Sequence, residues 1–151
     1  MYAGDNDDYL VSNSIRGGNK NSWIDPAYNM RNKAHAQDTR HLKQGKLFKY
    51  NDSLAIYKCP SQPKLGQGNS SYYPVRSYSM SGHIGGVFAE ISLVQGSQNQ
   101  PRVKMSDITI TPPSQSFVFL GEHENTIDDS FFAIPVYAAN HWQNSASYWH
   151  N

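Results

Sequence analysis

The chain has 151 residues and a mass of 17.0 kDa, one domain's length, and at that size folding buries roughly 70% of the extended surface, enough for a core without metal or disulfide staples. With 13 Lys and Arg against 12 Asp and Glu, a formal charge of +1, 17% charged and 13% aromatic residues, the composition excludes both a basic nucleic-acid binder and a disordered acidic chain. Cys59 is the sole cysteine, which excludes an intrachain disulfide framework and any Cys-rich zinc site.

In chain order, Met1 to Leu10 reads as the end of a helix that frays at Asp5-Asn6-Asp7-Asp8, because acidic side chains oppose the negative end of a helix dipole. Val11 to Asn21 is a loop broken by Gly17-Gly18. Trp23-Ile24 opens a short strand, and Asp25 caps a helix starting at Pro26. Asp38 to Tyr50 reads as helical, with Leu42, Leu47 and Tyr50 near one face and Gly45 as its weak point. After the turn Asn51-Asp52-Ser53, Leu54 to Cys59 is a β-type run ended by Pro60. Ser61 to Ser71 is a Ser-, Gln- and Gly-rich loop.

Tyr72 to Met80 alternates as a strand, with Val75, Ser77 and Ser79 on one side and Arg76, Tyr78 and Met80 on the other. Gly82 to Gly86 ends it, and Ala89 to Val94 forms another short element. Val103 to Ile110 resembles a helical turn feeding a strand. The clearest strand is Ser116 to Leu120, with Glu122-His123-Glu124 projecting from its end, and Phe131 to Ile134 follows as another. The expected class is α+β with a small antiparallel sheet, long loops and a core of Leu47, Tyr50, Phe117, Phe119, Phe131 and Phe132. No run approaches the ~20 apolar residues of a membrane span, and no basic-then-apolar leader follows Met1. A neutral, Asn-, Ser- and Tyr-rich, thiol-poor composition is that of an extracellular protein, and its conflict with a start that carries no leader makes a fragment the expectation.

Four ordered pieces carry a resemblance. Tyr2-Ala3-Gly4-Asp5-Asn6-Asp7-Asp8-Tyr9-Leu10 comes first. Gly45-Lys46-Leu47-Phe48-Lys49-Tyr50 with Tyr57-Lys58-Cys59-Pro60-Ser61 is second, and Val75-Arg76-Ser77-Tyr78-Ser79-Met80-Ser81-Gly82 third. The fourth runs from Ser106-Asp107-Ile108 through Ser114 to Glu124 and ends on Ile127-Asp128-Asp129-Ser130-Phe131-Phe132. In this order they resemble the prepilin-like proteins that have an N-terminal prepilin cleavage and methylation helix and a C-terminal H-x9-DG motif. The motif histidine would be His150 or His141, and Gly121 stands where that family commonly has Asp.

The resemblance implies one pilin-like or pseudopilin-like head domain over residues 1–151, truncated at both ends, with residues 1–10 closing the N-terminal helix. It implies a non-catalytic structural subunit of a type IV pilus-like or type II secretion pseudopilus-like assembly at the cell envelope. Such a subunit is anchored in the inner membrane and joined to other pilin-like subunits through the helix missing here, and requires no cofactor. Two acidic sets are candidate calcium ligands by their carboxylates, Asp5, Asp7 and Asp8, or Glu122, Glu124, Asp128 and Asp129, and the recurrence of calcium in related pseudopilins supports the first. The alternative for each is a set of carboxylates that bond local backbone amides.

Among functional alternatives, a carbohydrate- or surface-binding module would use Trp23, Trp142 and Trp149, with Tyr72, Tyr73, Tyr137 and Tyr148, as sugar-stacking faces, unless those rings fill the core. Enzyme signatures are lacking: no H-E-x-x-H and no G-x-S-x-G occurs, and Gly82 to Gly86 lacks the lysine of a phosphate loop. Cys59, at the end of an apolar alternation, is expected to be a buried, inert thiol.

Overall fold

The computed structural model describes residues 2–16, 21–86, 101–109, 113–134 and 143–149. Its only regular layer among these is a three-stranded sheet in the order β2-β1-β3, with β1 Tyr78–Ser81 at the centre, β2 Phe119–Gly121 and β3 Phe131–Phe132. Strand β2 runs antiparallel to β1, with Ser79 opposite Leu120, whereas β3 runs parallel to it, with Met80 opposite Phe131. The expected α+β content is therefore present, but the sheet is mixed rather than antiparallel. The reason is topological. The 122–130 loop reverses the chain after β2 and carries it across the end of β1, so β3 lands on the far side.

Three single-turn helices precede the sheet: α1 Lys33–Ala36, α2 Arg40–Lys43 and α3 Phe48–Asn51. The expected helix 38–50 is split because Gly45 lies against Trp23; a Cβ there would sit 2.0 Å from the Trp23 carbonyl oxygen, so the backbones cross where a continuous helix would clash. Helix α1 starts later than Pro26. Asp25 Oδ1 accepts only from the Ala27 amide and closes a turn, and Asn32 caps the helix instead, its Oδ1 accepting from the amides of Ala34 (3.0 Å) and His35 (3.3 Å). At the front, the expected helix end is one 3-10 turn, Ala3–Asp5; Asp7 and Asp8 follow with φ of 51° and 68°, left-handed values that stop a right-handed helix. The 54–59 run, expected to be β-type, is a 3-10 turn over Ala55–Tyr57, and the 72–80 strand is confined to Tyr78–Ser81. The 3-10 turn Met105–Asp107 matches the helical turn expected there. Ala89 to Val94 lies outside the described residues.

Two larger apolar clusters and a small one, Phe131 and Ala133 with Ile15 against them, carry the interior among the described residues. The largest joins Val11, Trp23, Ile24, Leu42, Tyr57, Met80 and Ile84, with Leu47 and Phe48 packed against it. Trp23 lies at its centre, 1% exposed, parallel to Tyr57 and edge-on to Phe119. The second gathers Met30, Ala36, Leu65, Tyr72 and Ile127 under the loops. Of the expected core, Phe131 and Phe132 are buried and Leu47 and Tyr50 half-buried, but Phe117 and Phe119 are 40% and 39% exposed. Only Phe119 and Leu120 of the 116–120 segment are in the sheet, and among the described residues β2 has only β1 as a neighbouring strand, so its outer edge and the segment leading into it are uncovered. Among the described residues, no helix is long and apolar enough to cross a membrane.

Candidate functional site

Strand β1 is buried on both faces because its polar residues are bonded inside the fold. Arg76 is fully buried. One of its terminal nitrogens, Nη1, donates to the Tyr78 carbonyl and to Ser79 Oγ (2.9 Å), the other, Nη2, donates to the Asp129 carbonyl, and the guanidinium lies 5.8 Å from the Trp23 ring centre. Burial lowers its pKa to about 10, and the negative charges of Glu122, Asp129 and Asp128 act in the opposite sense, so it is a cation at neutral pH. Ser77 Oγ accepts from the Cys59 amide, and its own amide donates to the Tyr57 carbonyl.

Glu122 does not project from the sheet as its strand-end position suggested. It is fully buried, with Oε1 accepting from Asn144 Nδ2 at 2.6 Å. Burial pushes its carboxyl up to about 7, and the Ser79 hydroxyl, the Arg76 charge and Asn144 limit that rise. It turns inward because the 143–149 segment covers this end of β2: Glu122 bridges Ala146, the His123 amide donates to the Ser145 carbonyl, and the Ser147 amide donates to the Gly121 carbonyl. Gly121 suits this contact, since a Cβ there would lie 2.4 Å from Ser147 Oγ.

Neither acidic set closes on a cation position. Asp5, Asp7 and Asp8 are exposed, and Asp8 Oδ2 accepts from the Ser106 amide. Asp128 Oδ1 and Asp129 Oδ1 accept from the amides of Asp129 and Phe131, and Glu124 Oε2 accepts from Trp149 Nε1 (3.0 Å). Among the described residues, no group of three or more His, Cys, Asp or Glu side chains converges as a metal site would require.

The aromatic candidates separate as well. Trp23 is a core residue, which removes it as an exposed sugar platform; its ring only backs a hollow of about 220 Å³ shared with Leu47, Asn51, Ile56, Tyr57, Tyr78 and Phe119. Trp149 is half-buried, and Tyr148, 59% exposed, packs on His123. Tyr72 is buried, its hydroxyl donating to the Met30 carbonyl, while Tyr73 is exposed beneath the ammonium groups of Lys58 and Lys64. Trp142, Tyr137, His141 and His150 lie outside the described residues. Cys59 is buried, as expected.

Two further groups carry no signal of their environment in the sequence. His41 is fully buried against Tyr28, and desolvation with the Arg76 charge pulls its pKa down to about 4, so it is neutral in the fold. The second is a surface cleft of about 550 Å³ lined by Arg31, Lys33, Leu65, Gly66, Ser70, Tyr72 and Glu124. Arg31 also borders a neighbouring hollow of about 270 Å³, which holds Thr126, Asp128 and Asn144. An arginine two residues ahead of a lysine gave no signal in the sequence, because the other lining residues lie 34 or more positions further along the chain, from Leu65 to Glu124. Searches against known protein families, curated proteins and solved structures return no match for this chain.

Proposed function

We propose that the chain is a pilin-like or pseudopilin-like head domain, a non-catalytic structural subunit of a filament or secretion assembly at the cell envelope. The observation that supports this most is where the four resembling pieces meet. Arg76 of the third piece bonds the Asp129 carbonyl of the fourth and lies within the field of its Glu122. Ser77 of the third bonds the Cys59 amide of the second, and the Asp8 carbonyl of the first accepts from the Met105 amide next to Ser106. These polar side chains hold segments together instead of facing a substrate, which suits a display scaffold better than an enzyme. Assembly would come from lateral contacts between heads and from an N-terminal helix preceding Tyr2. The test is the parent gene read upstream of Tyr2: a prepilin peptidase site followed by an apolar helix is expected, with cleavage by a prepilin peptidase in cells. An open reading frame without that site and helix overturns the assignment.

A further inference from the structure

The cleft at Arg31 has the wall chemistry of a ligand site, and its backbone is held while its charges are not. Met30 is fixed from two directions: its amide donates to the Asp128 carbonyl at 2.7 Å, and its carbonyl accepts from the Tyr72 hydroxyl at 2.9 Å. The Arg31 amide donates to Asn29 Oδ1 at 2.8 Å, and the Asn32 cap sets the start of α1, which places Arg31 and Lys33 on the same cleft. The side chains contrast with that frame. Arg31 Nη2 meets the carbonyls of Asn125 and Thr126 only at 3.4 Å and Asp128 Oδ2 at 3.7 Å, and its side chain is 59% exposed. Lys33 is exposed. A guanidinium held this loosely on a fixed backbone exchanges its long contacts for a bidentate carboxylate at little cost.

The rest of the cleft defines the ligand further. From Ser53 to Ala89 the sequence has no Asp or Glu, so the wall made by Leu65, Gly66, Ser70 and Tyr72 adds no negative charge opposite the two cations. Leu65 and Tyr72 add apolar surface to the lining, Ser70 a hydroxyl, and Glu124, whose Oε2 accepts from the Trp149 indole, a carboxylate that can accept from hydroxyl groups. Asp128 lines the neighbouring hollow and not this cleft. The volume of about 550 Å³ lies within the ~300–1,000 Å³ typical of small-ligand sites. An apolar ring face, several hydroxyl donors and one carboxylate are together the attributes of a uronic-acid sugar.

We propose that this cleft binds an acidic sugar of the uronate class, its carboxylate on Arg31 and Lys33, its ring over Leu65 and Tyr72, and its hydroxyls toward Glu124 and Ser70. A binding role of this kind goes beyond a structural one. Calorimetric titration of the intact chain with trigalacturonate, its neutral methyl ester and inorganic phosphate tests it. Trigalacturonate is expected to bind at least tenfold more tightly than either control. The Arg31→Ala/Lys33→Ala double variant is expected to weaken it at least tenfold, and Glu124→Gln severalfold. Both cations are exposed, so the double variant should keep the wild-type far-ultraviolet circular dichroism. No heat of binding at millimolar trigalacturonate, an ester that binds as well as the acid, phosphate that binds as well as the sugar, or unchanged affinity in the double variant each overturns the proposal.

Discussion

Arg76 and Arg31 are the same residue type in opposite circumstances. Arg76 is sealed, with its terminal nitrogens bonded to β1 and to the 122–130 loop and its face on Trp23. Arg31 is fixed at its main chain, while its exposed guanidinium reaches the Asn125 and Thr126 carbonyls only at 3.4 Å and Asp128 at 3.7 Å. The contrast shows that the burial of an arginine, not its presence, separates structural charge from charge available to a ligand. A guanidinium sealed from solvent lies out of a ligand's reach, and removing it strands the groups it served.

The largest effect that would break this comparison is on stability. Arg76→Ala leaves the Tyr78 and Asp129 carbonyls and the buried Glu122 without their cation, and a loss of about 3–5 kcal/mol in urea unfolding is expected, enough to leave many small domains unfolded. A loss under about 1 kcal/mol would mean that Arg76 does not hold the segments together. Gly45→Ala comes next. Its Cβ would meet the backbone of Trp23 and Ile24, which cannot move as a side-chain tip would, and about 1–3 kcal/mol should be lost in the same measurement.

A pH series sharpens the comparison in both directions. The folded state holds the Glu122 proton up to about 7, above its ordinary 4.5, so the stability from this group is full below about 4.5 and is lost as pH rises through 7. His41 works the other way. Its folded pKa of about 4 lies below 6.5, so its contribution is full above 6.5 and is lost as pH falls toward 4. Between those limits the two slopes oppose each other. Glu122→Gln should therefore gain stability relative to wild type as pH rises from about 4.5 to 7, and His41→Phe should gain it as pH falls from about 6.5 to 4. Melting temperatures of the three proteins across that range decide it; parallel curves would mean that neither group titrates differently in the folded and unfolded chain. The smallest effect is expected at Arg31→Ala, whose melting temperature should match a stability change within about 0.5 kcal/mol, since its contacts are long and exposed.

What could be read from the sequence followed the range of the interactions involved. Local signals gave the break at Gly82, the Met105–Asp107 turn, the burial of Cys59 and the ends or starts of strands near Met80, Leu120 and Phe131, but they also gave strands at Trp23-Ile24 and over 54–59 that are bends and a 3-10 turn. Strand direction was not legible, because β3 pairs with β1 across 51 positions, from Met80 to Phe131, and nothing local fixes that order. The split of the 38–50 helix was foreshadowed by Gly45, but its cause, the Trp23 backbone, lies 22 residues upstream. Glu122 was misplaced for the same reason: alternation along a strand gives its face, not the segment that closes over it, and Asn144 is 22 residues away. The cleft was invisible because Arg31, Ser70 and Glu124 belong to three distant loops.

Cys59 is both the sole thiol and fully buried, with its amide bonded to Ser77 Oγ beside Arg76. A thiol reagent can reach it only when this part of the molecule opens, so the chain has a single built-in reporter at the junction of its second and third resembling pieces. At reagent concentrations high enough for labelling to outpace reclosing, its labelling rate is the opening rate of that junction, and comparing it with the global unfolding rate tells whether the head opens as one cooperative unit or comes apart at this junction first.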